Sequence, residues 1–195
     1  MLVATSNEGK LREIREIMVD TPYHIISLDE AVRLGYLLEV PTIVEDGNTF
    51  EDNALKKAVN IMHLSGITTL ADYSGLEIDF LDGLPGVNSA YFLGADTPYI
   101  QRNQRIIEMM ASTDKRSARF VCVIAVAYAG DKSTQIQRAS VEGVIAHKAQ
   151  GKGGFGYDPI FLVPQFGKTF AQLSMAEKNS VSHRATALCK IKAIL

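Results

Sequence analysis

Residues 151–158 read Gly-Lys-Gly-Gly-Phe-Gly-Tyr-Asp, with Lys178 and then Ser182-His183-Arg184 further along the chain. Phe155 is a flat apolar ring set among glycines. Residues without a Cβ tolerate positive φ and let backbone approach a planar ligand closely. An aromatic ring stacks on any nucleobase, so discrimination falls to polar groups that match the base edge. Asp158, His183 and Arg184 are acceptors and donors of that kind, and Gly156 and Tyr157 complete the glycine-rich segment. A hairpin loop with a structural Phe is the competing account.

Phosphate chemistry is suggested at the other end of the chain. Residues 1–4 form a short apolar run typical of a buried strand. Thr5-Ser6-Asn7-Glu8-Gly9-Lys10 follows, and then Leu11, Ile14, Ile17 and Met18 recur at helical spacing. A strand, a polar loop and a helix N-terminus therefore come in order, and helix N-termini bind phosphate through free N–H groups and the helix dipole. Lys10 falls in the first turn, where the dipole favours an anion, so a bound phosphate would account for it; an ordinary capped helix with a solvated Lys is the plainer account. The Gly-x-x-x-x-Gly-Lys-Ser/Thr spacing of a P-loop is absent. Glu45 and Asp72 are candidate oxygen ligands for Mg²⁺, which takes few carboxylates together with substrate phosphates.

The elements that would position these groups alternate. A helix is expected over 50–65, with Ala54, Leu55, Ala58, Ile61 and Met62 apolar. Residues 69–71 read as a short strand that delivers Asp72-Tyr73-Ser74-Gly75 into a loop, and 76–80 as the next strand. Thr97-Pro98 opens a helix carrying Ile100, Ile106, Ile107 and Met110, since Pro suits a first turn. Two strand patterns, 118–129 and 134–147, flank Gly130-Asp131-Lys132, and so short a connection makes them an antiparallel hairpin. Ser174 with Glu177 is a capping box, and one last helix presents Val181, Ala185, Leu188 and Ile191. The fold class is α/β with a mixed central sheet flanked by helices, as a single domain over 1–195.

Composition restricts the partners. Lys and Arg number 20 and Asp and Glu 22, which gives no electrostatic case for a nucleic-acid polymer. No apolar stretch reaches the ~20 residues of a membrane span, and the N-terminus lacks a signal-peptide pattern. Cys122 and Cys189 are far apart and read as buried small hydrophobes of a cytoplasmic protein.

These segments together resemble the inosine triphosphate pyrophosphatase family, which hydrolyses non-standard purine nucleoside triphosphates. The similarity is carried by residues 4–10, by Glu45 with Thr49-Phe50-Glu51-Asp52-Asn53-Ala54, by Leu84-Pro85-Gly86-Val87-Asn88-Ser89-Ala90, by 153–159, and by Glu177-Lys178 with Ser182-His183-Arg184. The resemblance implies an elongated two-lobed body with the site in the cleft, a homodimer, and release of nucleoside monophosphate and pyrophosphate from inosine, deoxyinosine or xanthosine triphosphate. It implies Mg²⁺ on Glu45 and Asp72. Thr5, Ser6, Asn7, Lys10, Lys57 and Ser74 would lie on the phosphate side, with Phe155 under the purine and Asp158, Lys178, His183 and Arg184 at its edge. Two positions depart from the family pattern. Tyr73 stands where a second acid, the water-activating base and a metal-site residue, is usual, and Tyr91 where Arg is usual. A phenol with a pKa of about 10 replaces neither a carboxylate ligand nor a neutral-pH base. The chain is thus expected to be a weakened pyrophosphatase. The alternative is a nucleotide-binding or interaction scaffold on this fold, reached by divergence or engineering.

Overall fold

A computed structural model describes residues 1–130 and 133–195, so the Asp131-Lys132 part of the expected turn lies outside the described residues. The elements are β1 (Leu2–Val3), α1 (Glu8–Ile17), α2 (Leu28–Arg33), α3 (Phe50–Ser65), β2 (Thr69–Ile78), α4 (Tyr99–Met109), β3 (Ser117–Ala127), β4 (Thr134–Ile145), β5 (Phe161–Val163), β6 (Lys168–Thr169), α5 (Met175–Val181) and α6 (His183–Lys192). The six strands form one sheet in sequence order. β1 runs parallel to β2, whereas β4, β5 and β6 are antiparallel neighbours, so the sheet is mixed as expected. Between β3 and β4, Tyr128 N–H donates to Ser133 O and Ile145 N–H to Arg116 O. The partners rise in one strand as they fall in the other, which is the antiparallel hairpin.

Local chemistry explains the helix limits. The side chain of Asn7 accepts from Lys10 N–H at the start of α1, and Thr49 does the same for Asp52 N–H in α3. Such caps satisfy donors that the first turn leaves free. The helix α3 buries Phe50, Ala54, Ala58 and Ile61, a stripe of helical period, and ends at Gly66 in the left-handed conformation. Ser174 and Glu177 form the expected capping box of α5.

The chain packs as two units. The first comprises Met1–Tyr73, Cys122–Ala139 and Arg184–Leu195; the second comprises Ser74–Val121 and Ser140–His183. Val3, Ile14, Leu70, Ile124, Leu188 and Ile191 are among the fully buried core of the first. Leu76, Ile106, Phe120, Ile160, Phe161 and Phe170 hold the core of the second.

Four expectations are corrected. Residues 72–75 are not a loop: they lie inside one strand, β2, which ends at Ile78, with a 3₁₀ turn at Asp79–Leu81 where strand was expected. A buried strand between two neighbours has every backbone group paired, and that outweighs the turn propensity of Asp-Tyr-Ser-Gly. The last helix is two, because Ser182 is extended (φ −72°, ψ 146°) between α5 and α6, which puts Val181 on a different helix from Leu188. Ile100 is 77% exposed rather than part of the α4 core face. Cys122 is buried as expected, but Cys189 is exposed on α6. No helix among the described residues is long and apolar enough to cross a membrane.

Candidate functional site

In the first unit, Asp72 is the centre of a buried charge network. Its side chain has no exposure, and Lys10 of α1 pairs with Oδ1. Oδ2 accepts from Arg184 Nε at 3.1 Å and from the Cys122 thiol at 3.1 Å. The Arg184 guanidinium, also buried, pairs in addition with Glu13 of α1. Burial alone would raise the Asp72 carboxyl, but Arg184 and Lys10 outweigh it and hold the group well below the usual carboxylate range. Burial and then the Asp72 charge push the Cys122 thiol well up, so it is a thiol donor. Arg184 is thus engaged with two carboxylates of the first unit.

A second carboxylate is held on α3. Glu45 pairs with Lys57, and Asp46 with Lys56. The acidic segment is fixed by fully buried Asn53, whose Oδ1 accepts from Gly47 N–H at 2.8 Å while its Nδ2 donates to Gly47 O at 3.1 Å. A Cβ at Gly47 would lie 2.7 Å from Asp52 Cβ, so only Gly permits this clasp. Burial, and then the nearby Lys10, lower the pKa of Lys57, with Glu45 opposing. Tyr73 is buried, with its ring edge-on to Phe50 at 6.0 Å and Lys57 Nζ 5.3 Å from its centroid. Thr5 Oγ1 accepts from Asn7 N–H at 3.2 Å, Asn7 is spent on the cap, Ser6 is exposed, and Ser74 is half-buried in β2.

Glu45 and Asp72, the carboxylates expected to hold Mg²⁺, are each paired with a lysine. Among the described residues, no three His, Cys, Asp or Glu side chains are grouped to hold a metal alone. Magnesium bound with phosphates asks for only one or two carboxylates, and both acids qualify in chemistry. Glu45 retains 16% side-chain exposure. Asp72 has no side-chain exposure and already meets Lys10, Arg184 and Cys122, so a metal there would share its oxygens with these partners.

In the second unit, Phe155 N–H donates to Asp158 Oδ2 at 2.9 Å, and Lys178 Nζ reaches the same oxygen at 2.7 Å. Both charged side chains are buried, and Lys178 Nζ lies 4.6 Å from the Phe155 ring centroid. His183 stacks on Phe120 at 4.9 Å and 11°, with Phe170 beyond. Tyr157 donates to Ser89 O at 2.7 Å, and burial raises its phenol. The glycines serve the loop itself more than a ligand. A Cβ on Gly154 would fall 2.0 Å from Asp158 Oδ2, and one on Gly151 2.5 Å from the Ala171 backbone. A cavity of about 820 Å³ lies against this loop and α4, lined among others by Tyr99, Asn103, Gly154, Phe155 and Pro159.

The structure therefore brings Lys10, Asp72 and Arg184 together in the first unit, with Glu45, Lys57 and Tyr73 close beside them, and in the second unit Phe155 with Asp158 and Lys178. The sequence reading missed Glu13, the Cys122 donor and Asn103. Glu13 was visible in principle: it adjoins Ile14 on the buried stripe of α1 and lies one turn from Lys10.

The arrangement is that of an α/β protein with a mixed sheet and buried clusters of paired charges, and comparison with known proteins gives its family. The model of the Ham1 family matches residues 1–194. The chain belongs to the Ham1 family. It is 43% identical to the dITP/XTP pyrophosphatase of Desulforamulus reducens, over 100% of this chain and 94% of that one. It is 41% identical to the dITP/XTP pyrophosphatase of Bacillus licheniformis, over 100% and 97%. Among solved structures, a HAM1 protein from Coxiella burnetii superposes with a TM-score of 0.87 at 38% identity, covering 99% of this chain and 96% of that one. The Staphylococcus aureus Ham1 protein gives 0.85 at 36%, with the same coverage.

Proposed function

We propose that this chain hydrolyses non-standard purine nucleoside triphosphates, those of inosine, deoxyinosine and xanthosine, to the monophosphate and pyrophosphate, with turnover weakened by Tyr73. The observation that carries the reading is the buried Asp158–Lys178 pair fixed against the Phe155 ring, a stacking face beside an oriented acceptor and donor. Full-length relatives named dITP/XTP pyrophosphatase support it.

In this reading Phe155 stacks on the purine, and Asp158, Lys178 and His183 read its edge. A 6-oxo purine offers an acceptor where adenine has an amino group, and donors aimed at that point would be left unpaired by adenine. Buried unpaired donors are the strong source of rejection. Lys10, Lys57, Thr5, Ser6, Asn7 and Ser74 meet the phosphates. Mg²⁺ held by Glu45 and Asp72 would neutralise phosphate charge and orient the chain for attack by water. Arg184, tied to Glu13 and Asp72, keeps Asp72 ionised and in place.

The weakness lies at the base. Tyr73 is packed between Phe50 and Lys57 and supplies no carboxylate. Asp72 is a poor substitute, because its cation partners hold its proton affinity well below that of an ordinary carboxylate. A general base contributes about 10²–10⁴-fold. Pyrophosphate release from inosine triphosphate with Mg²⁺ should thus be slow, and Tyr73→Asp should raise it by about 100-fold or more. Fast turnover in the parent that Tyr73→Asp leaves unchanged defeats the assignment of position 73. Binding without turnover in either protein favours a nucleotide-binding scaffold.

A further inference from the structure

The segment that carries Phe155 is held from a direction the pyrophosphatase reading does not use. Asn103 of α4 donates from Nδ2 to Gly156 O at 3.1 Å, across 53 residues of sequence. Gly156 has φ +64°, a left-handed conformation that turns its carbonyl, and Tyr99 of the same helix packs 3.6 Å from where its Cβ would be. The next residue, Tyr157, meets Tyr99 edge-on at 5.2 Å and 88°. One helix thus grips the residues that follow Phe155, while Asp158 grips the Phe155 amide.

Asn103 has a second property. Its side chain is 5% exposed, yet its Oδ1 has no hydrogen-bond partner. A buried acceptor left without a donor works against stability and calls for a reason. An apolar side chain of similar volume, such as Leu, would fill the site without that cost. What Leu would not supply is the amide donor to Gly156.

We propose that Asn103 is a positioning residue for the base-stacking ring: it fixes Gly156, and through it Phe155, in the orientation that receives a planar base. The proposal rests on Phe155 being the stacking face. Preordering a loop raises affinity by removing the entropy that binding would otherwise have to take from it. The contribution therefore belongs to ligands with a base and not to a bare polyphosphate.

The test is Asn103→Leu, with Asn103→Ser, too short to reach Gly156, as the second variant should Leu fail to pack. Three readouts are compared with the parent: melting temperature, amide hydrogen exchange at residues 153–157 without ligand, and calorimetric affinity for inosine triphosphate and for inorganic tripolyphosphate. Asn103→Leu is expected to melt near the parent temperature, because the unpaired Oδ1 it removes offsets the Gly156 carbonyl it leaves without a donor, to exchange faster at 153–157 but not along α1, and to bind inosine triphosphate about three- to tenfold more weakly, with tripolyphosphate unchanged. A purely structural Asn103 would lower the melting temperature and weaken both ligands alike, and that result overturns the proposal. So does unchanged exchange at 153–157, whatever the ligands do. A parent that binds tripolyphosphate but shows no preference for inosine triphosphate overturns the functional reading, and this one with it. That outcome is visible before any variant is made.

Discussion

Arg184 carries two carboxylates in a place that water does not reach. A buried pair broken on one side leaves an uncompensated charge, at a cost of about 3–5 kcal/mol. Arg184→Met should lower unfolding free energy by that order in a denaturant titration. Glu13→Gln should cost less, because Asp72 still faces the guanidinium. The Asp72 carboxyl titrates below its ordinary value, so its contribution is present at neutral pH and is lost as pH falls below about 4. The stability difference between the parent and Asp72→Asn should therefore narrow on acidification through that range, measured by thermal melts across pH. At Phe155, replacement by Ala should weaken all purine nucleotides by roughly 1–3 kcal/mol without changing the ranking of 6-oxo over 6-amino bases, because stacking is blind to the edge. Altered ranking in calorimetry would move edge recognition onto Phe155.

Elements whose patterns are locally complete were legible in the sequence. The helix α3 has its cap, its stripe and its terminal Gly, and the expected span, Phe50 to about Ser65, agrees with the one observed. The segment around Asp72 misled because Asp, Ser and Gly carry turn propensity that only a tertiary neighbour overrides. β2 is flanked by β1 and β3, and no local pattern announces that. The break at Ser182 was hidden for a similar reason: Ser182 is itself buried, between Val181 and His183, and no Gly or Pro marks the end of one helix and the start of the next. Of the candidate site, the ring, the acids and the lysines were visible as residue types. Their pairing was not, because the partners of Asp72 come from α1, β3 and α6. The 153–156 glycines show how a correct motif can have a different reason. Gly154→Ala, at φ +69° and with Asp158 Oδ2 in the way, should displace that carboxylate and cost nucleotide affinity as much as Asp158→Ala does. Calorimetry on the two variants side by side decides it.

At the scale of the whole molecule, the second unit leaves Leu84, Tyr91, Leu93 and Ile100 exposed, four large apolar side chains within a short stretch of chain. Apolar surface of this kind is commonly covered in an assembly, in keeping with the homodimer that the family resemblance implies. Sedimentation velocity should show a dimer, and Leu93→Lys with Ile100→Lys should shift it to monomer; an unshifted dimer would place the interface elsewhere.

The division of the chain has a consequence for its birth. The first unit is assembled from three separate stretches, and residues 184–195 are one of them. Ala187, Leu188 and Ile191 fill the same core as Val3 and Ile14, and Arg184 neutralises the acids of α1 and β2. On the ribosome, residues 1–73 must therefore wait for residues 184–195. Until then Asp72 and Glu13 lack Arg184, Asp72 keeping Lys10 as its cation, and the core of β1 and α1 stands open to solvent. The second unit, whose stretches lie between, has every one of its parts in hand sooner.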